Sequence, residues 1–173
     1  MSFDLAQRYT EARQKALAGE RGLQRLSESD LKQLTQSLVG PELERHQALF
    51  LLAHASHPVR ELEATLLVLP THQLNDEDLV WLLNCFQKHI IQGRFKEGER
   101  LTHDFLETLR KLIHHSSRPV VEWVLRTIDE CSSQGIVFRP ELAKIKPSIW
   151  SLWRAESRTI LELITYLERK WSP

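Results

Sequence analysis

Residues 75–93 read NDEDLVWLLNCFQKHIIQG, and this stretch decides the fold class. Asn75 is a short polar residue of the kind that caps a helix N-terminus, and Asp76, Glu77 and Asp78 follow in the first turn, where the positive end of the helix dipole favours carboxylates. Trp81 lies within the apolar run LVWLL and is expected in the core, while Gly93 marks the end. The pattern predicts a helix over 76–92.

The same grammar extends in both directions. On the N-terminal side, Ser2 is placed to cap FDLAQRYTEARQKALA, which ends near Gly19. Ser27 and Asp30 have capping-box spacing ahead of Leu31, Leu34, Leu38 and Val39, and Gly40 stops that helix. Pro41 fits the first turn of the next one, whose apolar face holds Leu43, Ala48, Leu49, Leu51 and Leu52; VRELEATLLVL then follows Pro58 and ends at Pro70.

On the C-terminal side, a pattern from about Phe95 to His115 sets Leu101, Phe105, Leu109 and Leu112 on one helical face. Pro119 opens a helix running to about Ser132, with Gly135 beyond it. PELAKIKPSIWSLW is interrupted by Pro147, which breaks or kinks a helix. AESRTILELITYLERKW closes the chain with Ile160, Leu163, Ile164, Leu167 and Trp171 on one face. No stretch alternates with period two beside hairpin turns, so the class is all-α: eight or nine antiparallel helices, stacked as hairpins or gathered in an irregular bundle.

Two stretches, HASHPVREL from His54 to Leu62 and HSSRPVVEW from His115 to Trp123, agree at five of nine positions. Val59 and Arg60 open a helix directly after a tight turn, and in this the region 41–132 resembles HEAT-repeat proteins, in which a hairpin's second helix often begins with Val-Arg. The resemblance implies a short α-solenoid. The departures are His57 and Pro58 where the family usually carries an acidic residue, and Val121 where the second stretch would need Arg. Pro58 and Pro119 also lie 61 residues apart, whereas two-helix repeats recur after roughly 30–45 residues. The shared letters are explained by helix-start chemistry: a polar residue, a proline whose missing N–H costs nothing there, and Glu61 or Glu122 near the positive end of the dipole.

Composition bounds the function. The 173 residues suit one domain spanning 1–173, and 42% hydrophobic with 27% charged residues is ordinary for a chain that folds by itself. No segment approaches the ~20 apolar residues that cross a bilayer, and the first residues lack a secretory pattern, so a cytoplasmic protein without membrane insertion is expected. The 23 Lys+Arg balance 23 Asp+Glu. Divided after Phe86, the chain carries 8 basic against 12 acidic residues, then 15 against 11. Two surfaces with different partners, or head-to-tail self-association, would use such an imbalance, while a nucleic-acid binder usually shows a larger basic excess.

The reactive residue types narrow the function further. Cys85 and Cys131 fall within apolar helical patterns with no metal or nucleophile signature, and are expected reduced and buried. His54, His57, His114 and His115 precede proline-led helices, where an imidazole serves the last carbonyls of a helix; no HExxH pattern offers a metal site. Phosphate-binding glycine loops and a serine-hydrolase elbow are absent from the sequence. The carboxylate groups Glu42 with Glu44, Glu61 with Glu63, and Asp76 to Asp78 read as first-turn acids.

Tryptophans supply the remaining candidates. Trp150 and Trp153 share a helical face at i, i+3 and with Arg154 form the expected partner-binding patch, since Trp and Arg anchor interfaces. Trp123, Arg126 and Asp129, at i, i+3 and i+6, form an alternative nucleic-acid groove. The expectation is therefore a non-enzymatic interaction or scaffold module that needs no cofactor or metal and binds a protein partner. The alternative is a HEAT-like DNA-binding or DNA-repair glycosylase-type protein, and the third reading is a histidine-dependent metal-binding protein.

Overall fold

Asn75 does cap its helix: the side chain accepts the Asp78 backbone N–H at 2.8 Å. In the computed structural model, which describes residues 4–20, 25–69, 74–148 and 153–172, every regular element of the described residues is helical. The chain is all-α. It divides into two compact units, Met1–Gly98 and Glu99–Pro173.

The first unit contains α1 (Leu5–Leu17), α2 (Glu28–Leu38), α3 (Glu42–Ala53), a 3-10 turn (Arg60–Leu62), α4 (Glu63–Val68) and α5. Helix α5 begins as α-helix over Asp76–Cys85, loosens into a π-helical segment over Phe86–Gln92 and ends as α-helix over Gly93–Lys96. Central to the unit is α3, against which α1, α2 and α5 all pack. Its run Gln47–Leu52 is buried throughout, as expected of a helix surrounded by others. Leu43 departs from the expected apolar face and is 68% exposed.

Two boundaries differ from the sequence reading. Gly93 does not end its helix: its backbone is helical, and α5 continues to Lys96 before Gly98 adopts φ +71°. The glycine serves close approach instead, because a Cβ there would lie 3.2 Å from Arg60 Cγ and 3.7 Å from Pro58 Cβ. At the chain start, Asp4 caps α1 by accepting the Gln7 N–H at 3.1 Å, while Ser2 lies outside the described residues. Ser27 and Asp30 form the expected reciprocal capping box.

The second unit contains α6 (His103–Leu112), α7 (Arg118–Glu130), a 3-10 stretch (Ser132–Phe138), α8 (Arg139–Ile145) and α9 (Ala155–Lys170). The pattern beginning at Phe95 is thus two helices, divided where Gly98 turns the chain and Thr102 caps α6 by accepting the Phe105 N–H. Helix α7 packs against both α6 and α9. On α9 the fully buried residues are Ile160, Ile164 and Leu167, with Leu163 and Trp171 half-buried beside them. Among the described residues no helix is long and apolar enough to cross a membrane.

Candidate functional site

Trp153 stands at the start of α9 with 87% of its surface in water, and Arg154, the N-cap residue, is also exposed. Arg154 makes no side-chain capping bond. A tryptophan left outside forgoes the burial of roughly 150–250 Å² of largely apolar surface, and both side chains of this pair lie on the surface rather than in the core. Trp150, the third member of the expected patch, lies outside the described residues.

Two charged residues of the alternative groove have partners of their own. Arg126 donates to Glu122 from Nη2 at 2.7 Å and from Nε at 3.1 Å, and its guanidinium sits 5.9 Å from the centre of the Trp123 ring. Asp129 accepts from Lys170 Nζ at 2.6 Å, and that bond holds the Lys170 ammonium above the ordinary lysine range. Trp123 and Arg126 are brought together on α7. Asp129 is turned towards α9.

The histidines separate by role. His54 is the C-cap residue of α3 and its Nδ1 donates to Phe50 O at 2.9 Å, with the ring stacked on Phe50 at 4.3 Å. His115 instead serves the next helix, its Nδ1 accepting the Ser117 N–H at 3.1 Å. Among the described residues no three His, Cys, Asp or Glu side chains gather closely enough to hold a metal ion. Cys85 and Cys131 are buried free thiols; burial pushes Cys85 up and Cys131 up to about 12, so neither is a thiolate nucleophile near neutral pH.

Two polar constellations were missed in the sequence. Asp78 is fully buried and accepts from His46 Nδ1 at 2.6 Å, while Tyr9 Oη lies 3.3 Å from His46 Nε2. This hydroxyl–imidazole–carboxylate chain ties α1, α3 and α5 together. Phe50 packs edge-on against both Tyr9 and Trp81, at 5.1 and 4.9 Å. The available signal was helical phase: Asp78 shares its face with Leu82 and Cys85, and His46 shares one with Leu49 and Phe50. The second constellation is His89 and Lys88, both turned onto the end of α3 by the π-helical segment.

Glu63 does more than serve as a first-turn acid. It is buried and takes a bidentate grip from Arg94, with Nη2 to Oε1 at 2.8 Å and Nε within 3.0 Å of both carboxylate oxygens. Comparison with protein-family models, with curated proteins and with solved structures finds no match.

Proposed function

We propose that this protein is a non-enzymatic helical interaction module, built in the manner of HEAT-like helical hairpins, that holds a protein partner in the cytoplasm through Trp153 and Arg154. The observation that carries the reading is the 87% exposure of Trp153 beside the exposed Arg154. An aromatic ring next to a guanidinium suits the centre of an interface: the ring supplies area with little rotamer freedom to lose, and the guanidinium supplies directed donors. Its setting at the start of a helix docked on α7 gives the pair a firm base.

The test compares the wild-type chain with Trp153→Ala/Arg154→Ala in affinity capture from the source cell, with circular dichroism on both. A partner retained in stoichiometric amount by wild type and lost from the double variant, at unchanged helical content and melting, supports the reading. Identical capture by the two proteins overturns it.

A further inference from the structure

The stretch HSSRPVVEW contributes to a cleft. Where α6 gives way to α7, the chain faces the end of α8 across a space of about 440 Å³, lined by His114, His115, Ser116, Arg118, Lys144 and Lys146 among others. That volume lies within the roughly 300–1,000 Å³ of small-ligand sites. Among the described residues no carboxylate lines it.

The cations are unequal in their commitments. Lys146 reaches Glu168 at 3.1 Å, an exposed pair that leaves its charge partly answered. Arg118 and Lys144 form no ion pair with a described residue. His115 accepts the Ser117 N–H at Nδ1, so the proton of the neutral ring resides on Nε2, which becomes a donor. Arg118 is only half-exposed, and Val121, which closes the cleft floor, is buried. The field of α7 adds to this: it is 13 residues long, has no acid in its first turn and no side-chain cap at Ser117.

We propose that this cleft is an anion site that takes the phosphoryl group of a small phosphorylated molecule. Two unanswered cations and a neutral imidazole donor match a dianion with several acceptor oxygens better than a single carboxylate. Nucleic acid fits less well, because it calls for positive charge spread along a face, whereas here the charge is gathered in one hollow and Arg126 and Lys170, elsewhere on the unit, are paired. The site is separate from the Trp153 patch in residues and in chemistry.

The full chain is titrated by calorimetry with inorganic phosphate and with pyrophosphate, at ionic strength held constant with sodium chloride. The variants are Arg118→Gln/Lys144→Gln, the single Lys144→Gln at an exposed position, and Arg126→Gln as a control. Saturable binding by wild type and by the control, weakened on the order of tenfold or more in the double variant and partly in the single one, is the expected result. Should the double variant not fold, Lys144→Gln decides. Absence of saturation with both anions, or equal affinity in wild type and Lys144→Gln, overturns the site. Vesicles of phosphatidylserine and phosphatidylcholine form the second arm: binding to them without binding to the free anions overturns the small-molecule reading in favour of a lipid surface.

Discussion

His89 is a fully buried histidine with both ring nitrogens engaged: Nδ1 accepts the Val59 N–H at 3.0 Å and Nε2 donates to Leu52 O at 2.9 Å. This arrangement requires the neutral ring. Burial, helped by nearby Lys88 and opposed by the Leu52 bond, lowers its pKa from 6.5 to about 4. Between those values the unfolded chain binds the proton and the folded chain does not, so stability falls as pH drops through that window. At pH 4.5 the loss approaches about 2–3 kcal/mol. Urea unfolding of wild type and His89→Gln at pH 7 and pH 4.5 checks this: the advantage of wild type should shrink by about that amount on acidification, and a constant difference would show that His89 does not couple folding to the proton.

At the scale of elements, the ends of helices are where this fold makes its decisive contacts. The π-helical segment Phe86–Gln92 lets consecutive residues of α5 both reach the end of α3: Lys88 Nζ donates to Ala53 O at 2.9 Å and to Ala55 O at 2.6 Å, beside the His89 bond to Leu52 O. Three carbonyls are thereby satisfied by side chains from a neighbouring helix. In the second unit, the 3-10 stretch after α7 is pressed between α7 and the end of α9, so that a Cβ on Gly135 would lie 2.8 Å from both Ile128 O and Trp171 Cζ2. Backbone cannot yield cheaply. Gly135→Ala is expected to cost about 1–3 kcal/mol in thermal unfolding, with the change in near-ultraviolet dichroism of a displaced tryptophan; a melting point equal to wild type would refute the close packing.

For the molecule as a whole, charge separates less sharply by unit than by halves of the sequence. The first unit holds 11 Lys+Arg against 13 Asp+Glu and the second 12 against 10. Neither unit presents a large positive field, and Arg126 and Lys170 are answered by Glu122 and Asp129. Duplex DNA should therefore be retained weakly at about 50 mM salt, without the steep loss across a salt series that marks the neutralisation of many phosphates. A log–log slope steeper than about −5 would reinstate the DNA reading.

The sequence by itself determined that the chain is helical and where most helices begin, because caps, first-turn acids and apolar spacing are local: Asn75 and the Ser27–Asp30 box act within one turn of themselves. It also singled out Trp153 as a candidate anchor, but the exposure of that ring is a tertiary fact, since it depends on what else covers the helix. Tertiary structure alone decided that Gly93 is a contact and not a stop, since the crowding comes from Arg60 and Pro58, more than thirty residues away. The same holds for Asp78 and Glu63, whose partners His46 and Arg94 are distant in the chain. The cleft of Arg118 and Lys144 is decided in this way too. Local rules assign an acid or a base to a helix end, and only packing brings together the side chains that pair, or leaves two cations facing one hollow without a counter-charge among the described residues.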